Sequence, residues 1–295
     1  MHNGAALYAS NAGKLDGLAP EAYIQPQESL FINWNFKNPV NQQNKTNYTE
    51  IGYCIDMWYG GLAAEATTGY SLSITPDGLV LLPLHFIQQN FEQVSWEGEF
   101  VTFALLMDGM LYTASWKWNK DAEYELIANF RGLLIRYSGK YKYIQLLNSA
   151  TDNLILQAAK AEKGAIFTGW PVWNYALELL RCQRYFYRTV LSQNGFLLGQ
   201  GIAYNARELS TKFYFPTSMR EGALPAIKYQ LGHEFKIWNT GNENIVNTTH
   251  HVTDIRIDQF SENSVSLDFI TTGLIPGTPY FWQTKGGYIE FNKNL

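Results

Sequence analysis

The chain has 295 residues and a formal net charge of −4, from 22 Lys and Arg against 26 Asp and Glu. That length allows one large or two modest domains, and the missing basic excess argues against a nucleic-acid partner. Charged residues are 16% of the chain, below the roughly 25% of an average soluble protein; 23 Asn and 15 Gln must keep the surface wet instead.

Other classes fall on similar grounds. The longest apolar run, Leu79 to Leu84, is broken by Pro83 and is far short of the ~20 residues of a bilayer span, so no membrane insertion is expected. Met1 to Ala9 lacks a basic region followed by an apolar one, the pattern of a secretory leader. Cys54 and Cys182 are too few for a disulfide framework or a zinc site and read as buried thiols of a protein made in a reducing compartment. The 9 Trp, 19 Tyr and 17 Phe suit an aromatic β core and also suit sugar-contacting surfaces.

Residues 1–27 are polar, rich in Ala, Gly and Asn, and read as an arm or connector. Residues 28–160 carry a β pattern. Phe100 to Met107 and Leu111 to Trp118 are β-rich runs joined through Asp108-Gly109, a dipeptide that supplies the positive φ angles of a tight hairpin. Pro76-Asp77-Gly78 separates Tyr70–Thr75 from Leu79–Leu82, and Ser138-Gly139-Lys140 separates Leu133–Tyr137 from Tyr141–Leu147. Short strands at this spacing predict a sandwich or jelly roll.

Residues 161–173, with two glycines and a proline, read as a linker. A helix is predicted from Tyr175 to about Tyr187, with Asn174 as its N-cap and Ala176, Leu179, Leu180 and Tyr187 on one stripe. Residues 174–295 then form a second module of this helix and a β-sandwich. In it Ile227, Tyr229 and Leu231 alternate with polar neighbours, as do Ile255 and Ile257, and Val265, Leu267 and Phe269. Such alternation marks antiparallel sheets with one wet side. The expected fold is mainly β: two antiparallel, jelly-roll-like sandwiches joined by a linker and one short helix.

Four segments resemble bacteriophage and prophage tail-fibre proteins. Asn11-Ala12-Gly13-Lys14-Leu15-Asp16-Gly17-Leu18-Ala19-Pro20-Glu21-Ala22-Tyr23 is similar to a segment of many tail fibres. Asn33-Trp34-Asn35-Phe36-Lys37-Asn38-Pro39-Val40-Asn41-Gln42, followed by Gly52-Tyr53-Cys54-Ile55-Asp56-Met57-Trp58, resembles the opening of a tail-protein jelly roll that is itself similar to carbohydrate-binding modules. Tyr175 to Phe186, with its Cys182-Gln183-Arg184-Tyr185 core, resembles the helix introducing a terminal receptor-binding domain. Phe213-Tyr214-Phe215-Pro216-Thr217-Ser218-Met219-Arg220, with Pro225 five residues on, is similar to a strand and turn of that domain. The resemblance implies a homotrimeric component of the virion tail, made in the host bacterial cytoplasm, held among other tail proteins and contacting a bacterial surface glycan or protein. It implies adhesion, not enzymatic activity. The rival readings are a structural tail or baseplate component without a host ligand, and a cell-surface glycan hydrolase.

A sugar site needs a flat aromatic face for the C–H side of a pyranose and planar polar groups for its hydroxyls. Trp116 and Trp118, two apart on a predicted strand, share one face and serve either as a platform or as a core layer. In the second module Trp238, Asn239 and Asn242 sit at a polar loop, and Tyr280 and Trp282 follow a Pro-Gly-Thr-Pro turn. Loops at sandwich ends are free to diverge, which makes these five the favoured ligand candidates. Leu179, Gln183, Arg184 and Tyr187 are the candidate subunit interface. Asp56, Glu97, Glu99, Asp254 and Asp258 are the carboxylates that a hydrolase would have to use, although no catalytic residue is assigned. No metal-ligand spacing is present, and neither a metal nor a cofactor is expected.

Overall fold

A computed structural model describes residues 26–91, 96–189, 196–220, 224–231, 236–238, 250–285 and 287–293. The expected arm therefore lies almost wholly outside the described residues. The chain forms two compact units: Met1–Pro39, Thr46–Gly52 and Trp58–Asn174 in the first, and Val40–Lys45, Tyr53–Met57 and Tyr175–Leu295 in the second. Two short segments from the first module's stretch of sequence thus pack with the second unit, an arrangement that contiguous boundaries cannot express. No helix among the described residues is long and apolar enough to cross a membrane.

The first unit is built from β1 (Asn47–Tyr48), β2 (Gly52–Tyr53), β3 (Tyr59–Leu62), β4 (Leu72–Thr75), β5 (Gly78–Leu81) and β6 (His85–Asn90). It continues with β7 (Phe100–Met107), β8 (Met110–Lys117), β9 (Glu125–Phe130), β10 (Leu133–Ser138), β11 (Tyr143–Asn148) and β12 (Leu154–Lys163). One six-stranded sheet runs β1-β4-β5-β12-β7-β8 and the other β2-β3-β6-β11-β10-β9. This is a jelly-roll-like antiparallel sandwich.

Turn chemistry sets the registers. Asp108 and Gly109 have φ of 50° and 76° between paired Met107 and Met110, the doubly positive geometry whose twist matches the flanking strands. Arg131 and Gly132 repeat it, with φ of 52° and 90°, between Phe130 and Leu133. Val101, Phe103, Leu105 and Met107 of β7 turn inward, as do Leu133, Ile135 and Tyr137 of β10 and Ile144 and Leu146 of β11, and all are buried. Phe31 fills the centre, 5.0 Å from the Trp58 ring and 6.1 Å from Phe103.

β12 runs on to Lys163, into the stretch read as a linker, and the chain after it is tied down. Buried Lys160 bonds Glu162 at 2.9 Å and the Gly169 carbonyl at 2.7 Å, while the Thr168 N–H donates to Glu162 at 2.8 Å. Trp170 stacks on Trp34 at 5.6 Å and Trp173 meets the same ring edge-on at 5.2 Å.

The second unit opens with helix α1 (Tyr175–Gln183) and continues with β13 (Phe186–Arg188), β14 (Phe196–Asn205), β15 (Glu208–Tyr214), β16 (Ala226–Leu231) and β17 (Lys236–Trp238). It ends with β18 (His250–His251), β19 (Asp254–Ser261), β20 (Ser264–Ile270), β21 (Pro279–Lys285) and β22 (Gly287–Asn292). A three-stranded sheet, β13-β22-β16, and a seven-stranded sheet, β18-β17-β21-β14-β15-β20-β19, share one apolar core.

The helix departs from expectation in length and in facing. It ends at Gln183, where the Tyr185 N–H turns back to the Cys182 carbonyl at 3.0 Å. Phe186–Arg188 then pair with β22, because bulky aromatic residues gain more from a ladder than from another helical turn. Its buried residues are Glu178 and Cys182, one turn apart, whereas Ala176 and Leu180 of the expected stripe are exposed. Tyr187 is a strand residue that stacks on Phe291 and meets Phe215 edge-on inside its own unit.

Candidate ligand-binding face

The second sheet of the first unit has one face in the core and one outside. Side chains alternate along a strand, so with Ile87, Ile135, Ile144 and Leu146 inside, their neighbours share the outer face. The register aligns them in two rows across the strands. Tyr59, Gln88, Gln145 and Arg136 form one row, and Gly61, Phe86, Leu147 and Leu134 form the next.

Each row has its own chemistry. In the polar row Tyr124, just before β9, donates its hydroxyl hydrogen to Gln145 Oε1 at 2.6 Å and accepts from Arg136 Nη1. The Arg136 guanidinium also lies 4.8 Å from the centre of the Tyr124 ring. Gln145 Nε2 donates to Gln88 Oε1 at 3.4 Å, and Gln88 Nε2 to Asn90 Oδ1 at 3.2 Å. Linked bonds of this kind polarise one another and fix the amides in orientation. In the apolar row the Phe86 ring crosses Gly61 so closely that a Cβ there would sit 2.3 Å from the ring. The same ring stacks with Tyr59 at 6.4 Å and 30°.

Members of both rows line a cleft of about 480 Å³, with Leu62, Glu65, Phe86, Tyr124, Leu134, Arg136, Gln145 and Leu147 among its walls. That volume falls within the roughly 300–1,000 Å³ of small-ligand sites. Aromatic and aliphatic faces, planar amides and one guanidinium are the groups that hold a saccharide. Gln145 is the one amide in the lining, held in orientation by Tyr124 and Gln88, and Glu65 is its one carboxylate.

Among the described residues, none of those expected to form the site lines this cleft. Trp118 is 2% exposed, 5.2 Å from Tyr137 and 5.3 Å from Trp96, and Trp116 is half-buried, 5.5 Å from Tyr137. Both rings belong to the layer between the sheets and form no platform. Tyr280 and Trp282 are 3% and 2% exposed. The Tyr280 hydroxyl accepts from the Ile275 N–H at 3.0 Å, and Trp282 donates to Thr211 Oγ1 at 3.1 Å and lies against Gly199. These two are core residues with their polar ends satisfied. Trp238 closes β17 with its side chain outside the described residues, where Asn239 and Asn242 also fall.

Of the proposed interface residues, Arg184 is exposed and Leu179 and Gln183 are partly buried. Of the candidate carboxylates, Glu97 accepts from the Lys120 N–H at 2.7 Å, Glu99 pairs with Lys163 at 3.0 Å, and Asp254 pairs with Arg256 at 3.0 Å and accepts from the Tyr229 hydroxyl and the Ile255 N–H. Among the described residues no three His, Cys, Asp or Glu side chains gather to hold a metal. His85 is buried, with Nδ1 bonded to the Pro83 carbonyl at 2.8 Å and Nε2 accepting from the Ser71 N–H at 3.1 Å. It is therefore a core histidine with both ring nitrogens bonded to backbone.

Sequence reasoning missed the outer face because its residues come from four separate strands. One signal was available: Phe86 and Gln88 alternate with buried His85, Ile87 and Gln89, which puts an aromatic and an amide on one side of a strand. No protein-family model matches the chain, and no curated protein matches it.

Proposed function

We propose that the chain is an adhesion protein of a phage tail, attaching to a bacterial surface through glycan recognition on the outer face of the second sheet. The observation that supports this most is the cleft itself, in which the rings of Phe86 and Tyr124, the oriented amide of Gln145 and the Arg136 guanidinium share one lining. The tail assignment rests on the four segments that resemble tail fibres and on the mainly β, jelly-roll-like fold those segments imply. A shallow site of this kind binds weakly by itself, and three copies in a homotrimer would raise avidity by effective concentration.

The test is an array of bacterial surface polysaccharides probed with the intact chain, with Phe86→Ala and Gln145→Ala as variants. The reading predicts binding to some of the polymers and its loss, about tenfold or more, in both variants. No bound polymer, or binding that ignores both substitutions, overturns it.

A second reading is favoured by one observation on the other unit. The outer face of the seven-stranded sheet carries exposed Ile202, Tyr204 and Tyr214, and Ile202 lines a depression of about 520 Å³ together with Gln200, Lys212 and Pro279. Exposed apolar groups together suit a protein neighbour, so this unit would hold another tail component. Ile202→Ser with Tyr214→Ser should then free the protein from the virion while leaving glycan binding intact.

A further inference from the structure

The charge of the ligand is written in how Arg136 is held. An arginine has five N–H donors in a planar fork. Arg136 gives one to the Tyr124 hydroxyl and lays its plane near the Tyr124 ring. No described carboxylate lies within ion-pair distance of it, and Glu65, on the same cleft, is exposed and forms no ion pair with it. Arg136 itself lines the cleft.

An arginine that only supported Tyr124 would gain nothing from lining an aromatic and amide cleft, and it would keep its charge more cheaply in open solvent. Held on two sides by one tyrosine, it has already lost much of its rotamer freedom, so little further ordering is required when an anion arrives. The flanking groups make the fit selective. Leu134 and Phe86 offer apolar surface to the ring of a sugar, and Gln145 offers one fixed amide beside the guanidinium. The whole assembly suits a pyranose that carries an anion with two oxygens to present.

We infer that the face recognises an acidic saccharide, with the anionic group of the sugar bonded to the Arg136 guanidinium and the sugar ring laid over Phe86 and Leu134. The inference rests on the adhesive reading of the same cleft and narrows it to acidic surface polymers. The anion is the carboxylate of a uronic or related acid or the phosphate of a phosphodiester-linked polymer; both present two oxygens to the fork.

The experiment uses the full chain and an array divided into uronic-acid-containing, phosphate-containing and neutral bacterial polysaccharides. Acidic polymers should dominate the bound set, and the class of the strongest one identifies the anion as carboxylate or phosphate. For a carboxylate polymer, chemical reduction of the carboxyl groups to alcohols should weaken binding about tenfold or more; for a phosphate polymer, the free sugar phosphate should compete about tenfold or more better than the same sugar without phosphate. Arg136→Gln, which keeps donors and removes the charge, should erase the preference for the anionic over the neutralised form. Binding of the anionic form should also weaken as salt is raised.

Neutral polymers bound as well as acidic ones, or a preference for the acidic form that survives Arg136→Gln, would overturn the inference. The adhesive reading would survive either result, provided that Phe86→Ala still abolished binding. An array with no bound polymer would remove both. Thermal melting of Arg136→Gln beside the wild type shows that the variant is folded, and the affinity ratio between anionic and neutralised polymer is a readout that a merely structural role would not move.

Discussion

Asp56 offers the sharpest test of the second unit's electrostatics. It is 3% exposed, accepts from the Gln42 backbone N–H at 3.1 Å and from Gln42 Nε2 at 2.7 Å, and has Glu290 and Arg188 as charged neighbours. Gln42 is itself committed, donating to the Phe186 carbonyl at 2.7 Å and accepting from the Arg188 N–H at 3.3 Å. Burial raises the carboxyl most; the two Gln42 bonds lower it, Glu290 raises it and Arg188 lowers it, leaving it at about 7 against an ordinary 3.8.

The folded pKa is raised, so between pH 4 and 7 the folded state holds a proton that the unfolded state has lost. Stability contributed by this proton is complete below about pH 4 and falls as pH rises towards 7. At about 1.4 kcal/mol per pH unit, the whole loss is roughly 4 kcal/mol, of which about 2 kcal/mol falls between pH 5 and pH 7.

Asp56→Asn removes the titration and keeps the shape. Urea unfolding of both proteins at pH 5, 6, 7 and 8, with hydrogen exchange at Ile289 and Phe291 marking the second unit's transition, gives the comparison. The wild type should lose about 2 kcal/mol more than the variant between pH 5 and pH 7. Parallel pH profiles would refute the reasoning, since they would mean that burial does not hold the proton on this carboxyl.

Three further outcomes are expected. Trp118→Ala should cost roughly 3–5 kcal/mol, as large-to-small changes in a packed core do, and the half-buried Trp116→Ala clearly less, with both read from denaturation midpoints. Lys160→Ala strands buried Glu162 without its cation and should cost roughly 3–5 kcal/mol; a double-mutant cycle with Glu162→Gln should recover part of that loss. Gly61→Ala puts a methyl 2.3 Å from the Phe86 ring, so the ring must tilt: the stability cost should be roughly 1–3 kcal/mol, and polysaccharide binding should fall with it.

The fold and the candidate face differed in how far the sequence could reveal them, and the difference is one of range. Asp108-Gly109 and Pro76-Asp77-Gly78 encode hairpins within a few residues, so local chemistry alone located β4, β5, β7 and β8 to within a residue or two. The helix was legible at its start and not at its end, because Tyr185 to Arg188 are indifferent helix formers until β22, a hundred residues away, offers them a ladder. Gly61 shows the limit most clearly. It is an ordinary glycine in the sequence, and only the register of β3 against β6 reveals that Phe86 occupies the place of its side chain.

The same limit explains why Tyr280 and Trp282 read as surface rings in the sequence and are buried in the fold. Trp282 looks like a surface ring because it follows a Pro-Gly turn, yet Gly199 across β14 clears the space that takes it inward. Tyr124, Arg136, Gln145 and Gln88 have nothing adjacent in sequence to mark them. What joins them is the order in which β6, β11, β10 and β9 lie in one sheet, a fact of topology that short-range pattern does not carry. A surface assembled from one or two residues per strand stays hidden until the strand order is known, whereas a core betrays itself strand by strand through alternation.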